Sequence, residues 1–202
     1  MGLREDLETV KQRPVWLAVA ALAMAAILLQ AGGEGLRDAL AYDRAALGAG
    51  ELWRLLTGHV VHLGWSHLLL NLVGLALVTW IVGRSYGALE WLYVAFVSIA
   101  VIDAGFWFLY TQLGWYVGLS GLLHGLLAAG LLVGVARRER EALVLALFVL
   151  AKLCWEQIAG PLPGSEGTSG GSVIVDAHLY GALGGILAAL LLWRRVRPVP
   201  SI

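Results

Sequence analysis

A serine and a histidine that stand in apolar stretches are the residues best suited to chemistry in this sequence. Ser120 lies between two glycines in GLSGLLHG (118–125), and His178 lies in AHLYGALGG (177–185). An imidazole within hydrogen-bond reach can take the proton of a serine hydroxyl and so activate it as a nucleophile. The two residues therefore predict a catalytic dyad. Asp176 is not expected to join it, because residues two apart on a helix do not share a face.

His67 and Asn71 are candidate donors to an oxyanion. They are four positions apart in HLGWSHLLLN (62–71), so they project from one face of a helix. If a later helix begins near Gly118, the backbone amide of Ser120 has no acceptor within that helix and lies at the positive end of its dipole. Together the three groups predict an oxyanion hole for a tetrahedral intermediate.

Glycines spaced four apart predict how the serine and the histidine meet. Gly121 and Gly125 follow the serine, and Gly181 and Gly185 follow the histidine. In lipid, faces of small residues let two helix backbones pack closely. We therefore expect two parallel neighbouring helices, the first opening at Gly118, with the hydroxyl and the imidazole at similar depth.

Other polar residues near the predicted site each have a structural and a functional interpretation. Lys152 and Glu156, at i and i+4, neutralise each other in the simplest account, with substrate recognition as the alternative. Asp103 is a candidate partner for Lys152. His124 either orients the catalytic imidazole or packs against it, and His62 either assists the site or holds the loop by a hydrogen bond.

The composition indicates that the elements carrying these residues cross a membrane. Of the 202 residues, 59% are hydrophobic and only 14% are charged, and mean hydropathy is +0.79. A helix of about 17 or more apolar residues can cross a bilayer. Six runs meet this length: 14–30, 66–83, 89–110, 119–136, 141–159 and 173–193. The expected fold class is an all-α membrane protein, a bundle of six transmembrane helices in one domain, residues 1–202.

The distribution of lysine and arginine predicts the orientation of the helices. Basic residues flank alternate ends of the six runs, and such segments stay on the cytoplasmic side. Both terminal segments, 1–13 and 194–202, should then be cytoplasmic. The loops at 31–65 and 160–172 should face outward, the first on the bilayer surface and the second flexible because it is rich in Gly, Ser and Pro.

Composition and spacing also bear on other classes of protein. A formal net charge of zero argues against a nucleic-acid partner, and the single cysteine, Cys154, supports neither a disulfide nor a thiolate motif. His59, His62 and His67 lie close enough together to suggest a zinc hydrolase, but they lack HExxH spacing and an acidic ligand at a helical offset. A non-catalytic membrane chaperone or transporter is a third alternative.

The motifs at 62–71, 118–121 and 177–185 resemble, in order, those of the rhomboid intramembrane serine proteases. The pair Trp53–Arg54 in the first loop matches as well, and the resemblance covers about residues 50 to 190.

The resemblance implies a six-helix core with no cofactor and no metal. It also implies that Ser120 is the nucleophile, His178 the base, and His67 and Asn71 the oxyanion donors. Inactive relatives lack the serine or the histidine, and both are present here.

The chain departs from that family in two places. Where rhomboids commonly have an aromatic residue that stacks on the base, this chain has His124, and one span carries Lys152 and Glu156. These features resemble the rhombosortase subgroup. That resemblance implies a multi-pass protein of the bacterial inner membrane, with its site open to the periplasm. Its substrates would be exported proteins with C-terminal Gly-Gly tails, and the general rhomboid substrates, single-span membrane proteins, are the alternative.

Overall fold

The computed structural model describes residues 3–193, with side chains from Gln12 onward. The predicted cytoplasmic tail, 194–202, lies outside the described residues, as do the first two residues and the side chains of most of the N-terminal segment 1–13.

The described chain is mostly helical. Ten α-helices occur in its described part: α1 Leu3–Ala31, α2 Gly33–Leu40, α3 Arg44–Gly48, α4 Arg54–Thr57, α5 Trp65–Val82, α6 Ala88–Ala104, α7 Ser120–Ala136, α8 Arg140–Ala159, α9 Ser165–Ser169 and α10 Val175–Leu191. A 3₁₀ turn at Gly83–Ser85 follows α5, and a π-helical turn at Gly105–Leu109 extends α6. α7 is the central helix, because it packs against α5, α6, α8 and α10.

Each of the six predicted apolar runs forms a helix, but the helices differ in length. Four segments within residues 3–193 have 20 to 22 residues and are apolar enough to cross a bilayer: Gln12–Ala31, Trp65–Ser85, Ala88–Leu109 and Arg140–Ala159. α7 and α10 are apolar but have 17 residues each, about 25 Å at 1.5 Å per residue. The two helices that carry the predicted serine and histidine are therefore the short ones, and six complete spans remain a prediction.

Two short strands depart from the expected all-α class. Tyr42–Asp43 (β1) pairs antiparallel with Trp115–Tyr116 (β2), with Tyr42 opposite Tyr116. Loop backbone that is packed between helices must satisfy its hydrogen bonds, and the two loops do so partly with each other. We call the end of the bundle where α5, α7 and α10 begin the site end; both strands lie there.

The long connection 31–65 is folded around a buried arginine. The Arg54 guanidinium donates to the carbonyls of Asp38 and Ala41, both at 2.8 Å, and pairs with Glu51 at 2.7 Å. The planar guanidinium, with its several N–H donors, thus links Asp38, Ala41 and Glu51 within this loop. This contact gives the arginine of the Trp53–Arg54 pair a structural role.

The second loop at the site end, residues 160–172, contains the short helix α9. Ser169 at its end is buried, and Gly171 packs next to Leu63, just before α5. The segment predicted to be flexible thus has a helical turn and a contact with the bundle.

Candidate active site

Ser120 and His178 meet at the site end of α7 and α10. Ser120 is the first residue of α7, and His178 lies in the first turn of α10. The serine Oγ is 3.0 Å from the histidine Nε2, which is hydrogen-bond distance. His178 is buried, with 5% of its surface exposed. The arrangement can transfer a proton from the hydroxyl to the imidazole.

Glycines hold these two helices together, as their spacing predicts. A Cβ at Gly181 would meet the backbone of Gly121, and a Cβ at Gly185 would meet that of Gly125. Since both pairs advance by four residues in the same direction, α7 and α10 run parallel, with backbones in direct contact. Any larger residue at these positions would separate the helices and with them the serine and the histidine.

His67 lies over the backbone that leads into α7. Gly118 has a φ of +122°, and a Cβ there would be 2.7 Å from His67 Cε1, so both backbone conformation and space favour glycine. The Leu63 amide donates to His67 Nδ1 at 3.4 Å. The proton of the neutral ring is therefore on Nε2, which makes that nitrogen a donor.

Asn71 is buried one turn further along α5. Its side-chain nitrogen donates to the His67 carbonyl at 3.1 Å, which uses one of its two N–H groups. The second remains a candidate donor. The amide of Ser120 is in the first turn of α7, where no acceptor exists within the helix. His67, Asn71 and this amide stay the candidate oxyanion donors.

Glu156 makes a contact with the histidine that the sequence does not predict. Its two carboxylate oxygens lie 3.1 and 3.0 Å from His178 Nδ1, on the opposite side of the ring from Ser120. The predicted dyad therefore has an acidic neighbour, and Asp176 is not that neighbour. The predicted ion pair within α8 is also present, with Lys152 Nζ 2.8 Å from Glu156 Oε2.

His124 stacks on His178 and also makes polar contacts. The two rings are 4.2 Å apart between centroids at an angle of 21°. His124 Nδ1 is 2.7 Å from the Ser120 carbonyl, and its Nε2 is 2.9 Å from Lys152 Nζ. The sequence left two roles open for His124: orienting the catalytic imidazole or packing against it. The stacked rings fit packing, and the polar contacts that fix the His124 ring fit orientation.

The predicted pairing of Asp103 with Lys152 is wrong. Asp103 Oδ1 is instead 3.2 Å from His59 Nε2, while Lys152 pairs with Glu156. Asp103 lies near the end of α6 next to the loop that carries His59, whereas α8 packs against α7 and α10. A buried carboxylate is costly unless it is paired, and the imidazole of His59 is the group that lies within reach of Asp103.

His62 is buried beside His67, with ring centroids 5.1 Å apart. Neither of its ring nitrogens makes a well-formed hydrogen bond among the described residues, so the backbone of Val60 in the loop is at most a weak partner. Burial, with a smaller contribution from His67, lowers the pKa of His62 to about 3. The ring is therefore neutral at physiological pH and serves as an uncharged neighbour of His67.

A group of atoms with metal-ligand chemistry lies in the site, but not the group that the sequence suggested. Ligand atoms of His124, Glu156 and His178 lie within 4.8 Å of one another. The Lys152 ammonium contacts the first two of these residues at 2.9 and 2.8 Å. Because a cation of the protein already sits among these atoms, the arrangement favours an ion-pair network over a zinc site.

A cavity of about 290 Å³ borders the site. It is lined by His67, by Tyr116 on β2, by Ser169 at the end of α9, and by Ser172 and Ile174 between α9 and α10. It therefore lies at the site end, next to His67, one of the candidate oxyanion donors. A cavity with both polar and apolar lining can admit water or a small side chain.

Comparisons with known proteins agree with this architecture. The family model described as "Rhomboid domain" matches residues 49–195. Rhomboid-like protease 5 of Toxoplasma gondii is 31% identical over 143 residues, which are 68% of this chain but only 16% of that protein. Putative rhomboid protease YdcA of Bacillus subtilis (strain 168) is 25% identical over 155 residues, 77% of this chain and 74% of that protein. The match covers well over half of the sequence and all the candidate site residues, and the chain therefore belongs to the rhomboid family.

Proposed function

We propose that this chain is an intramembrane serine endopeptidase, with Ser120 as nucleophile and His178 as general base. The observation that carries the proposal is the 3.0 Å contact between Ser120 Oγ and His178 Nε2 at the start of two tightly packed helices. Membership of the rhomboid family and similarity to two named rhomboid proteases support the same reaction.

In the proposed reaction, Ser120 Oγ attacks a peptide carbonyl of the substrate while His178 Nε2 takes the hydroxyl proton. The tetrahedral oxyanion accepts hydrogen bonds from His67, Asn71 and the Ser120 amide, each donor contributing about 3 kcal/mol. His178 then gives its proton to the leaving amine. Water resolves the acyl-enzyme, and the cavity beside His67 is a route by which it can arrive.

A membrane-embedded substrate must expose a peptide bond before it can react. In lipid a helix has all its carbonyls hydrogen-bonded, so the substrate segment has to unwind near its end. Small residues favour this step. Glycine in particular destabilises a helix, adopts backbone conformations that other residues avoid, and adds no side-chain bulk at the site. Substrates with such residues near the membrane surface suit the site end.

We further propose that the substrates are exported bacterial proteins with a C-terminal Gly-Gly tail, as in the rhombosortase subgroup. The GLSGLLHG motif and the Lys152–Glu156 pair support this narrower assignment. The protein would then lie in the inner membrane with the site end toward the periplasm. Cleavage of single-span membrane proteins in general is the second candidate, and the comparisons fit it equally well.

The test uses two exported reporters, one with a Gly-Gly tail followed by an apolar helix and one with the same helix lacking the glycines. Each is co-expressed with wild type, Ser120→Ala or His178→Ala. Both variants should insert normally and abolish cleavage. Ser98→Ala is the matched control, because it removes a buried hydroxyl that donates to Val94 within α6, at 2.8 Å, and adds no bulk where Ser98 packs against Gly125.

The results separate the candidates. Cleavage of the Gly-Gly reporter alone supports the sorting role, and equal cleavage of both supports the general protease. Turnover retained by Ser120→Ala would refute the nucleophile assignment. A serine-directed phosphonate should inhibit the wild type and a chelator should not; the opposite pattern would favour the zinc hydrolase.

A further inference from the structure

Glu156 is a buried carboxylate that the proposed mechanism does not use. It lies on α8 with 3% of its surface exposed. Both of its oxygens face His178 Nδ1, at 3.1 and 3.0 Å, while His178 Nε2 faces Ser120 Oγ at 3.0 Å. The imidazole is thus held between a carboxylate and a hydroxyl that come from two different helices.

The carboxylate determines where the proton of the neutral imidazole resides. An ionised carboxylate only accepts hydrogen bonds, so His178 Nδ1 must carry the proton and donate to Glu156. That leaves Nε2 unprotonated toward Ser120, which is the tautomer a general base needs. The same negative charge stabilises the imidazolium that forms when Ser120 attacks.

We infer that Glu156 is a positioning residue that fixes the tautomer and ring orientation of His178, with Lys152 holding the carboxylate in place. The inference rests on the proposed serine-protease function and adds an acidic member, supplied by α8, to its serine–histidine pair.

Lys152 holds the Glu156 carboxylate in place, and its own ammonium is fixed by a further contact with His124. Its ammonium donates to Glu156 Oε2 at 2.8 Å and to His124 Nε2 at 2.9 Å. Its distance to His178 Nδ1 is longer, 3.4 Å, and that nitrogen already donates to Glu156. The ammonium therefore balances the buried carboxylate without competing for the proton on the catalytic ring.

His124 connects this network back to the nucleophile. Since its Nε2 accepts from Lys152, the proton of the neutral ring lies on Nδ1, which donates to the Ser120 carbonyl at 2.7 Å. A chain of hydrogen bonds thus runs from Glu156 through Lys152 and His124 to the backbone of Ser120. It surrounds His178, whose ring stacks on that of His124.

A purely structural ion pair would behave differently from a positioning residue. Removing one member of a buried pair destabilises a protein in either case, because the other charge is left unpaired. Removing both charges together relieves that penalty. If the pair is only structural, both stability and activity then recover. If the carboxylate positions His178, stability recovers but activity stays low, because the histidine still lacks its partner.

The test compares Glu156→Gln with the double variant Lys152→Met/Glu156→Leu in the purified full-length protein. The amide of the single variant can donate to His178 Nδ1 and so select the wrong tautomer. We expect kcat to fall about 10²- to 10⁴-fold with KM nearly unchanged. In the double variant the thermal unfolding temperature should return to that of wild type or above, while kcat stays at least about 100-fold low. Glu166→Gln on α9 is the matched control and should leave kcat unchanged.

Each result decides between the two accounts. A wild-type kcat in Glu156→Gln, or recovery of kcat in the double variant, would overturn the inference and leave an ion pair for stability alone. If Glu156→Gln does not fold, the double variant gives the answer. Ser120→Ala is assayed in parallel: its inactivity, together with an active Glu156→Gln, would leave the proposed protease intact and reject only the role of Glu156.

Discussion

At the scale of single residues, the group on Nδ1 sets what each site histidine can do. Nδ1 of His67 accepts from the Leu63 amide, so Nε2 of that ring is a donor. Nδ1 of His178 faces the Glu156 carboxylate, so Nε2 of that ring is an acceptor. Two neutral imidazoles in one site thereby have opposite roles, one suited to an oxyanion and the other to a hydroxyl proton.

Asn71 offers a test of the oxyanion hole at this scale. If its second N–H stabilises the tetrahedral intermediate, Asn71→Ala should lower kcat about 10- to 1000-fold with little change in KM, measured on a purified reporter. Thr79→Val is the control, because Thr79 likewise donates to the carbonyl four residues back on α5, at 2.7 Å. Equal effects of the two substitutions would show that Asn71 acts only within its helix.

At the scale of elements, the sequence predicted one helix contact well and missed another. The four-residue glycine spacing on α7 and α10 was sufficient to predict their contact, because close backbone packing leaves that pattern. The contact between α8 and α10 leaves no such pattern. A carboxylate on one helix and an imidazole on another have no fixed spacing in sequence, so the sequence predicts pairing of Glu156 with Lys152, or a role in substrate recognition, but not its contact with His178. Asp103 was mispaired for the same reason.

The helix contact itself makes a prediction. Gly181→Ala would place a methyl group against the backbone of Gly121, with the Gly121 carbonyl carbon only 2.7 Å away. The helices must then separate, which costs about 1–3 kcal/mol of stability. A displacement of about 1 Å at the reacting groups lowers kcat about 100-fold.

Thermal unfolding in detergent and kcat for reporter cleavage measure the two effects. Gly35→Ala in α2 is the control, since open space surrounds a Cβ at that position. Wild-type activity in Gly181→Ala would mean that the tight contact of α7 with α10 does not hold the serine against the histidine.

At the scale of the whole molecule, hydropathy predicted the helices but not how the loops cover the site end. Each of the six apolar runs corresponds to one helix of the bundle, and most of the predicted helix ends agree with the observed ends within two residues. The pairing of β1 with β2 joins two loops distant in sequence, and Arg54 anchors the loop 31–65 through backbone carbonyls of the same loop. Such contacts depend on backbone groups, which every residue carries, and therefore leave little trace in the sequence.

The orientation of the molecule in the membrane is the prediction on which access to the site depends. The turn between α7 and α8 is flanked by Arg137, Arg138 and Arg140, and such turns remain cytoplasmic. α9, at the site end, then lies on the other side of the bilayer. With Cys154 first replaced by alanine, Glu166→Cys on α9 and Glu139→Cys in the basic turn are matched probes, since both positions are exposed.

In spheroplasts a membrane-impermeant maleimide should label the cysteine at position 166 and should label the one at 139 only after the membrane is permeabilised. Substrates would then be cut at the outer surface, where a released exported domain is already on its destination side. The reverse labelling would place the serine and histidine toward the cytoplasm. A sorting role for exported proteins would then be untenable, because their cleavage site would lie across the bilayer from Ser120, while the chemistry of the pair would be unaffected.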